Sequence, residues 1–117
     1  MIKGIGLDLI ELKRIRHLIN RKPKFADRIL TESEKDIYDS LGERRKIEFL
    51  AGRFSAKEAF AKANGTGIGS KLSFLDIEIL KTQEGKPFIF RPYSQNVHLS
   101  ITHTSEYAAA QVIIEDI

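Results

Sequence analysis

The segment at residues 44–64, RRKIEFLAGRFSAKEAFAKAN, decides the fold of this chain. Its apolar residues recur every three to seven positions, at Ile47, Leu50, Phe54 and Ala61. The segment is rich in alanine and contains no proline, so its local preference is strongly helical. Gly65 follows directly, and glycine commonly ends helices. The sequence therefore predicts one long helix, around which the rest of the chain is expected to pack.

One strand and two helices are predicted before this helix. The strand covers residues 1–7, is apolar and contains two glycines, and Asp8 stands at its C-terminal end. A rough apolar stripe predicts a helix over residues 11–20. The sequence TESE at 31–34 matches a capping box and predicts a short helix through Leu41.

Four strands are predicted after the long helix. Apolar and β-branched residues over 72–81, a turn at 83–86 and a returning strand at 87–90 indicate a β-hairpin. Residues 97–102 and 108–115 alternate between apolar and polar side chains and predict a second antiparallel pair. Helices and strands are partly segregated along the chain, so the predicted fold class is α+β.

Composition excludes several classes of protein. The 117 residues, 42% of them hydrophobic, fit a single domain over residues 1–117. Cysteine is absent, so disulfides, thiolate nucleophiles and cysteine-ligated zinc are excluded. No stretch approaches the roughly 20 consecutive apolar residues of a membrane span, and the N-terminus lacks the regions of a signal peptide. We therefore predict a cytoplasmic protein that does not bind membranes.

Basic residues are concentrated between positions 13 and 28. The net charge is only +3, but this segment sets seven cations against the single acid Asp27. The cations are Lys13, Arg14, Arg16, Arg21, Lys22, Lys24 and Arg28. Such an excess implies an acidic partner. Nucleic acid is a poor fit because the segment has few interleaved aromatic residues and no RNP, KH or helix-turn-helix signature.

Two glycine-rich segments superficially suggest phosphate binding. Residues 4–11 lack the third glycine of a dinucleotide fingerprint, with Leu9 in its place, and lack the βαβ unit. The favoured local interpretation is that the glycines permit close backbone approach and that Asp8 caps the next helix. Residues 65–71 lack the P-loop order of glycine, lysine and hydroxyl, so a helix cap and a turn are favoured there.

Glu58 is a candidate metal ligand in the long helix. It lies one turn from Lys62, and an ordinary i,i+4 salt bridge explains that pair. Arg53, Lys57 and Lys62 surround it in sequence, which suits a polyanion held with a divalent metal at its centre. Magnesium is the natural metal, because it is usually held by one or two carboxylates together with substrate phosphates. Asp8 and Glu58 are the candidate pair.

The histidines do not predict a zinc site. His98 and His103 are five residues apart, so on a regular strand they point to opposite faces. Three roles stay open for His103: a phosphate contact, proton transfer, or an ordinary surface position. Nothing in the sequence matches the nucleophile elbow of a serine-histidine-acid triad.

Five motifs, taken in order, carry a family resemblance. They are GIGLD at 4–8, FLAGRFSAKEA at 49–59 with KA at 62–63, GTG at 65–67, GKP at 85–87 and SITH at 100–103. Together they resemble the holo-[acyl-carrier-protein] synthases, the small 4′-phosphopantetheinyl transferases of bacterial fatty-acid synthesis. The resemblance implies an antiparallel sheet packed on the long helix. It also implies magnesium-dependent transfer of 4′-phosphopantetheine from coenzyme A to a serine of apo acyl carrier protein, releasing 3′,5′-adenosine diphosphate.

The resemblance also assigns site residues. Asp8 and Glu58 are implied as magnesium ligands, against the local interpretation of Asp8 as a cap, and the implied catalytic set adds Lys62 and His103. The implied coenzyme A contacts are Arg53, Lys62, Gly85, Lys86, Pro87 and His103. As base for the carrier serine, a water relayed by Asp8 or Glu58 is favoured over His103, because the carboxylates adjoin the proposed metal.

Two protein partners follow from the resemblance. The first is the acidic acyl carrier protein, expected to dock along the first helix and the loop after it, where the basic segment lies. Its predicted contacts are Arg14, Arg21, Lys24 and Arg28, with Phe25 either in that contact or in the core. The second partner is the chain itself, in a homotrimer with active sites between subunits. Relatives that modify peptide or polyketide synthases usually look like doubled chains, so the length favours the fatty-acid type.

Overall fold

The secondary structure follows the sequence in outline. A computed structural model of the chain describes residues 1–116. Its elements are β1 (Ile2–Glu11), α1 (Leu12–Arg21), α2 (Phe25–Ile29), α3 (Glu32–Ser40), α4 (Glu43–Asn64), β2 (Glu78–Lys81), β3 (Pro87–Arg91), β4 (Val97–His103) and β5 (Tyr107–Glu115). A short 3₁₀ turn, Phe74–Asp76, precedes β2. No helix among the described residues is long and apolar enough to cross a membrane.

The long helix α4 is confirmed within one residue at its start. It ends where the sequence predicts, because Gly65 takes the left-handed conformation with φ of 86°. The backbone N–H of Gly65 donates to the carbonyl of Lys62 at 3.1 Å, which satisfies one of the last free carbonyls of the helix. The glycine-rich segment after α4 therefore begins as a helix cap.

A three-stranded antiparallel sheet packs against α4. Its strand order is β1-β5-β4, with β5 in the middle, and its inner face carries small and apolar side chains. Gly4 and Gly6 lie directly on the helix: a Cβ on Gly6 would stand 1.7 Å from the carbonyl oxygen of Ala59, and one on Gly4 2.0 Å from that of Ala63. Only glycine fits this backbone-to-backbone approach.

Strand β1 ends four residues later than predicted, at Glu11, which changes the position of Asp8. Asp8 lies inside the strand, opposite Ala110 of β5, and the N-cap of α1 is Glu11. The interpretation of Asp8 as a helix cap is therefore wrong. Side chains alternate along a strand, so Asp8 shares the inner face with Gly4 and Gly6. The same alternation that seats the glycines on α4 turns the Asp8 carboxylate toward that helix.

Helices α1, α2 and α3 cover another part of α4. They enclose an apolar cluster centred on Ile15, Ile29 and Leu50, each at most 2% exposed. The capping-box acid is confirmed, because Glu34 Oε1 accepts from the backbone N–H of Thr31 at 2.8 Å. Helix α2 was not predicted: its five residues are too few to show a helical period.

The hairpin β2–β3 is confirmed, but its first strand is shorter than predicted. Residues 72–77 form a loop and the 3₁₀ turn, and only Glu78–Lys81 pairs with β3. Ser73 donates its backbone N–H to Asp76 at 2.9 Å, which favours the tight turn over an extended strand. The predicted turn contains Gly85 at φ of 89°, where glycine is strongly preferred.

Glu78 predicts a specific pH dependence of stability. It is buried and accepts from Ser33 Oγ at 2.5 Å, Thr31 Oγ1 at 2.6 Å and Arg91 at 2.7 Å. The two hydroxyl hydrogen bonds are the main cause that lowers the pKa of Glu78 to about 2. A carboxylate with a lowered folded-state pKa stabilises the fold above its ordinary pKa, and this contribution is lost as pH falls toward 2.

We therefore expect Glu78→Gln to lower the free energy of unfolding by about 2 to 3 kcal/mol at pH 7. The difference from the parent protein should shrink between pH 4.5 and pH 2, as measured by urea unfolding at each pH. Glu84→Gln, in the exposed hairpin turn, is the matched control and should stay within about 0.5 kcal/mol. A pH-independent loss at Glu78 would contradict the charged hydrogen-bond network.

Candidate active site

Asp8, Glu58 and Lys62 are brought together where β1 crosses α4. Lys62 Nζ donates to the carbonyl of Leu7 at 2.9 Å and lies 3.3 Å from Asp8 Oδ1. The ion pair of Lys62 is thus with Asp8, in place of the expected i,i+4 pair with Glu58. The close approach at Gly6 explains the arrangement, because it seats the strand against the turn of α4 that carries Glu58 and Lys62.

The two carboxylates repel each other. The pKa of Glu58 is raised, first by burial and then by the negative charge of Asp8, while Lys62 and Arg14 act in the opposite direction. Asp8 Oδ2 is buried and has no hydrogen-bond partner among residues 1–116. A buried, unpartnered carboxylate oxygen beside a second carboxylate is unfavourable unless a cation joins them.

The residues present fit a magnesium ion. No group of three or more histidine, aspartate, glutamate or cysteine side chains within residues 1–116 forms a metal cluster. Two carboxylates, one with a free oxygen, match the way proteins hold magnesium, because that ion keeps several waters and takes phosphate oxygens as further ligands. Asp8 and Glu58 are the residues that would hold it.

The cations around Glu58 in the sequence are not all around it in space. Lys57 is 0% exposed and pairs with Glu34 at 2.7 Å. Arg53 precedes Glu58 by five positions, about 7.5 Å along the axis and about 140° around it, so it faces elsewhere. The expectation that three lysines and arginines surround Glu58 is wrong for Arg53 and Lys57, whereas Lys62 and Arg14 are close enough to affect its pKa.

Apart from the carboxylate pair, Arg53 and His103 line a cavity of about 230 Å³, which we call the second cavity. Arg53 is buried, its guanidinium lies 4.3 Å from the ring centre of Phe49, and its Nε has no partner among the described residues. His103 lies 3.8 Å from the Glu48 carboxylate. Arg45 and Lys81 add positive charge to the cavity. An unpartnered buried guanidinium with basic neighbours is suited to an anion.

Sequence reasoning missed the other charged and aromatic residues of this cavity: Arg45, Glu48, Phe49 and Lys81. A signal existed for two of them, because Arg45, Phe49 and Arg53 are spaced four residues apart and therefore share one face of α4. Lys81 gives no such signal: it pairs with Pro87 across the hairpin. That pairing places the predicted 85–87 segment beside the cavity, with Gly85 and Lys86 exposed.

Within one chain, the second cavity and the carboxylate pair are separate. His103 pairs with Ala108 of β5, and Ala108 pairs with Ile10 of β1, so His103 is two strands, about 10 Å, from β1. Lys62 follows Arg53 by nine positions on α4, about 13.5 Å along the axis. The predicted site residues thus form two groups on different parts of the chain.

The basic segment forms two neighbouring surface depressions. Arg21, Lys24, Phe25 and Arg28 line one of them, together with Lys22 and Pro23. Arg14 lies in the other, with Glu11, Lys13, Arg16, His17 and Asn20. Phe25 is half-buried, and its ring centre lies 6.2 Å from that of Phe54, so it belongs to both the core and the surface. We call the first depression, residues 21–28, the basic depression.

Residues 4–112 match the family model of the 4′-phosphopantetheinyl transferase superfamily. The match includes the carboxylate pair, the second cavity and the basic depression. The chain therefore belongs to this superfamily, a class of group-transfer enzymes.

Individual relatives show to which group of the superfamily the chain is similar. The chain is 64% identical to the holo-[acyl-carrier-protein] synthase of Bacillus subtilis strain 168, over 98% of this chain and 97% of that protein. A crystal structure of the holo-(acyl-carrier-protein) synthase from Bacillus anthracis, in complex with coenzyme A (3′,5′-ADP), has 50% identity and a TM-score of 0.91, covering 100% of this chain and 99% of that one. The Helicobacter pylori synthase in complex with coenzyme A has 35% identity and a TM-score of 0.83, covering 95% and 99%. Within the superfamily, the chain groups with the holo-[acyl-carrier-protein] synthases.

Proposed function

We propose that this enzyme transfers 4′-phosphopantetheine from coenzyme A to a serine of apo acyl carrier protein, with magnesium held by Asp8 and Glu58. The observation that carries the metal assignment is the unpartnered Asp8 Oδ2 beside Glu58. Support for the donor comes from the related synthase structures that contain coenzyme A. Residues 1–117 are proposed to act as one phosphopantetheinyl transferase domain.

The chemistry is a displacement at phosphorus. The carrier serine oxygen forms a bond to the β-phosphorus of coenzyme A, and the bond to the 3′,5′-adenosine diphosphate leaving group breaks. When bound, magnesium supplies charge neutralisation on the diphosphate. Lys62, held by Asp8 and the Leu7 carbonyl, orients the diphosphate from the edge of the site. The serine proton passes to water relayed by Asp8 or Glu58, because these two carboxylates adjoin the proposed metal position.

A homotrimer explains why the site residues form two groups. Ile5, Leu7 and Leu9 are 58%, 63% and 65% exposed and form an apolar row on the outer face of β1. Nothing among residues 1–116 covers this row. We propose that sheet faces of three subunits pack together, so that Asp8, Glu58 and Lys62 of one subunit meet the second cavity of its neighbour. Coenzyme A then spans both, with phosphates on Arg53 and His103 and the nucleotide beside the 85–87 turn.

Leu7→Glu is expected to convert the trimer to a monomer and abolish transfer. It places a charge in the middle of the exposed apolar row, where burial against a second sheet would be strongly unfavourable. Size-exclusion chromatography with light scattering measures the mass, and the transfer assay measures the activity. Leu75→Glu is the matched control, because Leu75 is 51% exposed outside this sheet face. A Leu7→Glu protein that stays trimeric and active would refute the interface.

The carrier protein is proposed to bind the basic depression and Arg14. Arg28→Glu should raise the KM for carrier protein about tenfold while changing the KM for coenzyme A less than about twofold, since charge reversal on a docking face affects the charged partner. Lys71→Glu, an exposed cation outside the depression, is the control. Arg14→Glu should weaken carrier binding more than coenzyme A binding, and it should also affect the metal site, because Arg14 lowers the pKa of Glu58. Equal losses for both substrates at Arg28 would contradict this assignment.

The direct test is intact mass spectrometry of apo acyl carrier protein after incubation with the enzyme and coenzyme A. A gain of one phosphopantetheine with magnesium, and none with excess chelator, is the expected result. No gain across several carrier proteins, with folded enzyme, would refute the proposed transfer and would favour a non-catalytic binding role for the basic surface.

A further inference from the structure

Lys57 is completely buried although it is next to Glu58 in the sequence. Its Nζ donates to the Glu34 carboxylate at 2.7 Å and to the backbone carbonyls of Ile29 at 2.6 Å and Phe74 at 3.1 Å. An ammonium group has three donors, so all three are used inside the protein. Lys57 therefore does not contact a phosphate, and its role depends on the segments that supply these acceptors.

These acceptors belong to three segments that lie 17 to 28 residues from Lys57 in sequence. Ile29 is the last residue of α2, Glu34 lies in the first turn of α3, and Phe74 begins the 3₁₀ turn. Both oxygens of Glu34 have additional donors, Thr31 N–H and Ile79 N–H, each at 2.8 Å. Breaking one contact of such a buried network leaves a charge unpaired, so the network allows little variation in geometry.

Helix α2 depends on α4 for its position. Its five residues are too few for a helix that is stable alone. At one end, Phe25 packs on Phe54 of α4, and Phe54 stacks on Phe74 with ring centres 5.2 Å apart. At the other end, the carbonyl of Ile29 is held by Lys57. Both ends of α2 are thus attached to the turn of α4 that leads into Glu58.

We propose that Lys57 is a positioning residue for the carrier protein: its buried ammonium group fixes α2, and with it the basic depression, at a set distance from the Asp8–Glu58 pair. The inference rests on the proposed binding of carrier protein at that depression. Arg28 is on α2 and Glu58 is the next residue after Lys57, so the Lys57 contact connects the proposed docking surface to the helix turn that carries Glu58.

The test uses the double variant Glu34→Gln/Lys57→Met in the full chain. Lys57→Met alone would leave the Glu34 charge buried and unpaired, which threatens folding, whereas the double variant removes both charges at similar volume. Glutamine also serves in a capping box. Ile89→Ala is the matched control, because Ile89 belongs to an apolar cluster that contains no residue of α2. Transfer kinetics and amide hydrogen exchange are measured for all proteins.

The double variant is expected to raise the KM for carrier protein about tenfold, with the KM for coenzyme A changed less than about twofold. Amide exchange in residues 25–30 should rise about a hundredfold, while β5 exchanges as in the parent protein. Added to the double variant, Arg28→Glu should raise the KM for carrier protein little further. Added to Ile89→Ala, it should raise that KM by its full amount, about tenfold.

Three outcomes would overturn the inference. A carrier KM equal to that of Ile89→Ala, or unchanged exchange in residues 25–30, would show that Lys57 only stabilises the fold. If Arg28→Glu leaves the carrier KM unchanged in the parent protein, the proposed docking surface is wrong and the positioning role falls with it. Exchange in residues 25–30 distinguishes the two failures, because it reports on α2 without any carrier protein.

Discussion

Glu58→Gln is expected to lower the rate of phosphopantetheine transfer by about a thousandfold. Without metal-assisted charge stabilisation, the activation free energy rises by several kcal/mol. The fold should be retained or slightly stabilised. The pKa of Glu58 is raised by burial and by Asp8, so both effects disfavour its ionised form, and a neutral amide removes that cost.

Three measurements check this expectation. Intact mass spectrometry of the carrier protein gives the rate, thermal unfolding gives the stability, and calorimetric titration of magnesium in the presence of coenzyme A gives the metal affinity. Glu43→Gln is the matched control, because Glu43 is an exposed carboxylate in the first turn of α4. Parent-level turnover in folded Glu58→Gln would falsify the metal assignment, and so would unchanged magnesium binding.

Gly6→Ala is expected to destabilise the protein more than an ordinary packing change. The new Cβ would stand 1.7 Å from the carbonyl oxygen of Ala59. The Cβ is fixed directly to the β1 backbone and the oxygen is part of the α4 backbone, so no side-chain rotation can separate them. Overpacking typically costs about 1 to 3 kcal/mol, and this contact lies beyond that range because β1 has to separate from α4. We expect a loss of at least about 3 kcal/mol in urea unfolding, or no folded protein.

Gly69→Ala is the control for this experiment. A Cβ at Gly69 meets no described atom within 4 Å, and Gly69 is not among the glycines with positive φ. Its unfolding free energy should stay within about 0.5 kcal/mol of the parent protein. If Gly6→Ala were equally mild, the close approach that turns Asp8 toward α4 would be wrong, and the carboxylate pair would lose its structural basis.

Local signals predicted most of the fold. The α4 helix, the capping-box acid, both hairpin pairs and the cap at Gly65 depend on short patterns that the structure bears out. Two elements that were not predicted correctly, the end of β1 and helix α2, depend on contacts between distant parts of the chain. The extension of β1 through Glu11 depends on pairing with β5, which is 96 or more residues away at this end, and no local pattern encodes that pairing. Helix α2 is held by tertiary contacts of Phe25 and Ile29.

The candidate site was harder to predict than the fold. Local patterns suggested Asp8 and Glu58 as a pair, but only the family resemblance favoured Asp8 as a ligand over a helix cap. Lys57 shows the limit of inferring a role from charge in the sequence. Its position beside Glu58 suggested that it helps to hold a polyanion, yet its side chain points into a buried network. Whether a lysine on a helix serves a ligand or the core depends on which face is covered, and that is decided by α2 and α3.

If the active sites are shared between subunits as proposed, the separation of Arg53 and His103 from the carboxylate pair has a genetic consequence. In a shared site, Glu58→Gln disables the half that one subunit contributes, and Arg53→Ala disables the half contributed by its neighbour. Mixed trimers of these two variant chains would still contain some intact sites. In those sites the Arg53→Ala chain supplies Glu58, and the Glu58→Gln chain supplies Arg53. Two alleles that each fail alone would then complement each other inside one cell.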